Sequence, residues 1–220
     1  MKYKDISGPD DVPDGVIDDY DKTNIGSPMP KFTFGWTNTF RYKNFDLSVF
    51  INGSYGNKVY NYLSMKLTHM NSPWTNQLNA VNGRAQLVPI NPNKVYEDGT
   101  MWYNDVSNVM VANPGASIPR ATINDPNDND RISDRYIEDG SYIRLKNISL
   151  GYTFPKKTID KLGLSNLRIY ANIQNLLTIT GYDGYDPEIG ASTSSVNVYG
   201  LDNGRYPSPT VYSFGLNVSF

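Results

Sequence analysis

Asp10, Asp14, Asp18 and Asp21 recur every three or four residues around Gly15, a spacing in which carboxylates flanking a glycine turn can converge on a hard cation such as Ca2+. The stretch Asp10-Asp-Val-Pro-Asp-Gly-Val-Ile-Asp-Asp-Tyr-Asp21 fits the later half of an EF-hand-like or dockerin-like loop incompletely. Val12 occupies a ligand position, Pro13 stiffens the turn, and an aspartate rather than a bidentate glutamate closes it. The competing reading is an acidic turn ordered by its own backbone, as for the Asn/Asp cluster of Asn127 to Asp130. A second chemistry is offered by Trp74, Trp102 and Tyr103, whose flat rings can stack on sugar faces, anchor a protein interface or simply pack. Enzymatic chemistry finds little support. One histidine, His69, no cysteine and no glycine-rich phosphate loop leave no triad or metal cluster to assemble, and nothing places two carboxylates together in a cleft. The chain is expected not to be an enzyme.

The elements that must position these residues are strands. Side chains alternate across a strand, so steps of two mark a face. In Phe32 to Tyr42 one face reads Phe32, Phe34, Trp36, Asn38, Phe40, Tyr42, and the other Thr33, Gly35, Thr37, Thr39, Arg41. Phe45 to Tyr55 sets Phe45, Leu47, Val49 and Ile51 against Asp46, Ser48 and Asn52, with Phe50 as the exception. Ile148, Leu150, Tyr152 and Phe154 oppose Ser149, Gly151 and Thr153. Leu167, Ile169, Ala171 and Ile173 oppose Arg168, Tyr170, Asn172 and Gln174, and Tyr212, Phe214, Leu216, Val218 and Phe220 oppose Ser213, Gly215, Asn217 and Ser219. Arg41, Asp46, Arg168 and Asn172 thus share an inner face that a close-packed soluble sandwich would have to bury and a hydrated lumen would not. The expected strands are about 31–42, 45–55, 142–154, 166–178 and 209–220.

Connection lengths alternate: Lys43-Asn44 is short, 56–140 long, Pro155 to Ser165 short, and 181–208 long. Bacterial barrels join strands by short periplasmic turns and long outer loops, which predicts that 1–30, 56–140 and 181–208 lie outside and that the C-terminus lies on the periplasmic side. Val59, Tyr62, Leu63, Leu67 and Met70 have helical spacing, so the longest segment is expected to be partly helical. A net charge of -2 and the absence of any basic footprint argue against nucleic acid. A mean hydropathy of -0.50 does not distinguish a barrel from a soluble protein, since half of every barrel strand is polar. Seventeen tyrosines suit interface girdles. No signal peptide is visible, and five strands are fewer than the ~8 that usually close a barrel. The fold class is all-β, and 1–220 is expected to be the C-terminal portion of a larger barrel. The alternative is a soluble carbohydrate-binding β-sandwich.

Specific stretches point the same way. Ile118-Pro-Arg-Ala-Thr, then Asn124-Asp-Pro-Asn-Asp-Asn and Ser133-Asp-Arg-Tyr-Ile-Glu-Asp-Gly-Ser-Tyr-Ile-Arg-Leu-Lys-Asn-Ile-Ser-Leu-Gly-Tyr-Thr-Phe-Pro155, resemble the SusC/RagA-type TonB-dependent outer-membrane transporters. So do Asn166-Leu-Arg-Ile-Tyr-Ala-Asn-Ile-Gln-Asn-Leu-Leu-Thr178, Gly181-Tyr-Asp-Gly-Tyr-Asp-Pro-Glu188, Ile25-Gly-Ser-Pro-Met-Pro and Lys43-Asn-Phe-Asp-Leu-Ser-Val. The resemblance implies a large antiparallel transmembrane β-barrel of about 22 strands around an N-terminal plug, the plug and the remaining strands lying outside these residues. It also implies nutrient import of glycans or peptides driven through TonB, a SusD-like surface lipoprotein as partner, and an aromatic terminal residue, Phe220, read by the assembly machinery.

Overall fold

The computed structural model describes residues 3–123, 125, 127–189 and 198–220. It divides the chain into two compact units, one of Met1–Ile25 with Tyr62–Tyr136 and one of Gly26–Asn61 with Ile137–Phe220.

The second unit is built on an antiparallel sheet of β1 (Phe32–Tyr42), β2 (Phe45–Tyr55), β7 (Tyr142–Thr153), β8 (Asn166–Thr180) and β10 (Val211–Ser219), adjacent in that order. Each strand pairs with the next long strand in the chain, as in the wall of a meandering barrel. Eleven residues in β1, at ~3.3 Å per residue and ~40° of tilt, span ~28 Å, close to the apolar height of an outer membrane. Trp36 opposes Ile51, Val49 opposes Ile148, Leu150 opposes Ala171, and Ala171 opposes Phe214, so one face is apolar from edge to edge. No second sheet layer covers it among the described residues: Trp36 is 59% and Leu216 61% exposed. A soluble sandwich needs that layer, so the sandwich alternative is withdrawn. Rings gather at both ends of the apolar face, Phe32 with Tyr55 at one and Phe45, Tyr152 and Phe154 at the other.

The alternation is reset once. Pairing skips Lys146 in β7 and Asn175 and Leu176 in β8, with the partner step in β2 between Phe50 and Ile51. Asn175 takes the left-handed conformation (φ 51°), which asparagine tolerates better than most residues. Its side-chain amide donates to the Pro209 carbonyl, and its own carbonyl accepts from the Thr210 hydroxyl. These bonds lead the chain into β10, which starts at Val211 rather than at the expected 209. The reset leaves Leu145 and Ile143 on the apolar face with Leu177 and Ile179, and turns Arg144 to the polar face beside Thr178.

Two short connections close one end of the sheet. In the first, Lys43 is left-handed at φ 53°. In the second, α2 (Lys156–Ile159) buries Ile159, and Gly163, left-handed at φ 70°, ends the turn that follows. At the other end β3 (Lys58–Asn61) pairs with β6 (Ile137–Asp139) and β9 (Leu201–Asp202). Val59, expected in a helix, is therefore in a strand, held by two neighbours. The helix α1 is only Tyr62–Thr68. The first unit holds α1, the hairpin of β4 (Leu87–Pro89) with β5 (Val109–Val111), and several single turns. Of the expected outer segment 181–208, residues 190–197 lie outside those described.

Candidate functional site

The polar face of the sheet carries two charge clusters at different heights. In the lower one the Arg168 guanidinium grips Asp46 through two hydrogen bonds of 3.1 and 2.6 Å. The pair spans β7 at Gly151, where any β-carbon would lie within 3 Å of both charged groups. Glycine lets the pair cross there; any side chain at 151 would push the Arg168 and Asp46 side chains aside, although the backbone conformation itself would accept one. Arg41 pairs in register with Asp46 on the same face.

The upper cluster exists because the register reset turns Arg144 inward. Arg144 is 3% exposed. It donates to the Thr178 hydroxyl at 2.8 Å, to Glu188 at 2.8 Å and to Asp186. Lys146, the skipped residue, adds a 2.7 Å bond to Glu188. Asp186, 5% exposed, also accepts from the backbone amides of Glu188 and Ser208. Burial alone would raise Asp186, but the Arg144 bond and the two amides outweigh it and bring the carboxyl down to about 2. The chain after β8 is thereby drawn over the polar face. An ordinary aspartate titrates near 4; because the folded value is lower, this carboxylate stabilises the clamp at neutral pH and loses that effect as pH falls from about 4 through 2. Protection of the Glu188 and Ser208 backbone amides, taken relative to their intrinsic exchange rate at each pH, is expected to fall across that window in the full-length protein, and unchanged protection at pH 2 would refute the linkage.

A third group of bonds ties the roots of the long segments. The Asn61 amide and the Asp183 backbone amide both donate to Glu138, at 2.8 and 2.9 Å. The Tyr182 hydroxyl donates to Asp202 at 2.6 Å, and Asp202 accepts from the amides of Gly204 and Arg205. Burial, then the Asp202 bond, push the Tyr182 phenol far above its usual range.

In the first unit, Trp102 and Tyr103 meet edge to face, with centroids 5.7 Å apart, in a single turn that packs on β4 and β5. Trp74 is 93% exposed. The acidic residues do not gather. Asp14 accepts from the Val16 amide and Asp18 from the Tyr20 amide, while Asp21 accepts from Ile6, Ser7 and Asp18. Among the described residues no group of three or more acidic, cysteine or histidine side chains is placed to hold a metal ion. His69, just past α1, is buried against Asp125 at 2.9 Å. Arg144, Asp186, Glu188, Tyr182 and Asp202 escaped the site reading of the sequence, although the two stretches that contain most of them carried the family resemblance. The broken alternation of Arg144-Leu-Lys-Asn147 was the available signal.

A one-sided apolar sheet with aromatic ends and a charged, hydrogen-bonded inner face is the wall of a transmembrane β-barrel. No family model matches the chain. Curated relatives include "TonB-dependent receptor P3" of Formosa agariphila, 35% identical over 99% of this chain and 19% of its own length, and "TonB-dependent receptor P26" of the same organism, 33% identical over 100% and 19%. "TonB-dependent receptor SusC" of Bacteroides thetaiotaomicron is 29% identical over 94% and 17%. The chain therefore spans about a fifth of the length of the first two relatives it matches. Solved structures of the same fold include the RagAB peptide transporter, at TM-score 0.62 and 21% identity over 89% of this chain and 18% of that one. The RagAB peptide importer in its closed-closed state gives TM-score 0.62 and 19% identity over 97% and 20%. Over nearly its whole length the chain is similar to one segment of TonB-dependent receptors, SusC among them, and it shares the fold of the RagAB transporter.

Proposed function

We propose that this chain forms the last strands and the surface loops of a TonB-dependent outer-membrane importer for oligosaccharides or oligopeptides, working with a SusD-like lipoprotein. The observation that carries the reading is the sheet itself: an apolar face of membrane height backed by an inner face on which Arg168, Asp46 and Arg144 are hydrogen-bonded. Lipid meets the first face and the hydrated lumen the second. The short connections at Lys43-Asn44 and Lys156 to Gly163 face the periplasm with the C-terminus, and 1–30, 56–140 and 181–208 face outward. TonB engages a part of the full-length protein other than these residues. Trp74, Trp102 and Tyr103 serve as contacts for substrate or partner, and their rings favour glycans.

The test is uptake by cells carrying the full-length receptor, with fluorescent oligosaccharides and oligopeptides supplied separately. Uptake of one class is expected to disappear when the receptor is deleted or its coupling to TonB is removed; uptake of both surviving both changes would overturn the proposal. On intact cells a tag beside Trp74 should be labelled and one beside Lys157 should not, and the reverse would invert the orientation.

Phe220 lies just beyond β10, with its carbonyl accepting from the Ser165 hydroxyl. Its role in this reading is assembly. Deleting it from the full-length protein is expected to lower the amount of inserted barrel steeply while each inserted molecule transports normally. Undiminished insertion would leave only its packing contribution, ~1.5–3 kcal/mol.

A further inference from the structure

The apolar face is not uniformly ridged. Across β7, β8 and β10 the paired residues are Leu150, Ala171 and Phe214, and the small Ala171 between two large neighbours leaves a dent. The dent continues into a groove of about 550 Å³ bordered by Phe45, Tyr152, Ile169 and Leu216. Its Phe45–Tyr152 end lies beside the short connections. There Lys43 holds its ammonium 5.3 Å from the centre of the Tyr42 ring, and Tyr42 is on the apolar face in register with Phe45. Tyr152 also stacks edge to face on Phe154, after which Pro155 leads into the exposed Lys156 and Lys157 of α2. The Phe45–Tyr152 end of the apolar groove thus lies at the end of the sheet whose two short connections carry Lys43, Lys156 and Lys157.

We propose that this groove is a binding site for an anionic phospholipid, one acyl chain lying against Ala171 and the phosphate held by Lys43 with Lys156 and Lys157. The site rests on the barrel reading, because only a membrane-facing surface meets such a ligand. The chemistry requires both parts. A chain alone would seat any lipid in the dent, whereas cations at the rim select the anionic headgroup, each lysine contributing about fivefold in affinity near a charged surface. Asparagine at 43 keeps the left-handed backbone while removing the charge, and phenylalanine at 171 fills the dent with a side chain that lipid accepts.

The full-length receptor in mild detergent is exposed to phosphatidylglycerol or to phosphatidylcholine of the same acyl chains, and the retained lipid is counted by native mass spectrometry. Wild type should retain phosphatidylglycerol severalfold over phosphatidylcholine. Lys43→Asn should lower phosphatidylglycerol retention about fivefold, and Ala171→Phe should lower retention of both lipids, with folding checked by heat-modifiable gel migration. Equal retention of the two lipids by wild type, unchanged retention in Lys43→Asn, or undiminished retention in Ala171→Phe overturns the site. A fluorophore at Leu47, quenched by bromolipid whatever the headgroup, tests the barrel reading separately: quenching without selective retention rejects only the lipid site, and no quenching rejects the wall.

Discussion

Replacing Arg144 with alanine in the full-length receptor is expected to release the chain that follows β8 from the inner face. The substitution leaves Asp186 buried without its cation and Glu188 with Lys146 alone. Removing one partner of a buried ion pair costs ~3–5 kcal/mol, because the remaining charge stays uncompensated. That cost falls on the clamp rather than on the strand ladder, so it should appear locally. The backbone amides of Glu188 and Ser208, both bound to Asp186, should exchange ~10²–10³ times faster, while the amides of β1 and β2 stay protected. Restoring neutrality with Asp186→Asn in the same chain should recover part of the loss. Unchanged exchange at these two amides would show that the clamp contributes nothing in solution.

The second large effect is on function with the fold retained. Tyr60 and Ile137 are partners across β3 and β6, so the chain that leaves the sheet at Asn61 returns beside its point of departure. Deleting Tyr62 to Tyr136 and joining Asn61 to Ile137 through one glycine makes a two-residue Asn-Gly loop, the preferred connection for a tight hairpin. The shortened receptor is expected to reach the outer membrane in wild-type amounts and to migrate as a folded, heat-modifiable barrel. If Trp74, Trp102 and Tyr103 make the proposed contacts to substrate or partner, its substrate uptake should fall to background. A deletion that prevents the barrel from folding would show that the removed residues are needed to build the wall.

Legibility in the sequence followed the range of the interaction. Phe32 to Tyr42 and Phe45 to Tyr55 could be read because their contrast repeats every two residues for eleven positions and the turn between them is only Lys43-Asn44. Val59 was misread because one apolar residue fits a helix or a strand equally well, and its pairing comes from Glu138, far along the chain. The broken alternation at Arg144 was legible but its partners were not, for the same reason: Asp186 and Glu188 are 42 and 44 residues away, and no local pattern selects them. The aspartates of the first segment offered two readings, a cation loop and a backbone-ordered turn. Their spacing suits a cation, but the amides of Val16, Tyr20 and Ile6 lie closer to hand.

The skipped Lys146 acts on the wall as a compensating frameshift acts on a reading frame. In β7 the residues on its Tyr152 side follow one phase and those on its Ile143 side the other, both delivering oily residues to the face that β2 and β8 keep throughout. A residue gained or lost at this joint would be absorbed where pairing is already interrupted. The same change between Asn147 and Tyr152 would turn Ile148, Leu150 or Tyr152 into the lumen. The end of the wall that carries the Arg144 clamp can therefore diverge in length without forcing the Tyr152 end to be rewritten.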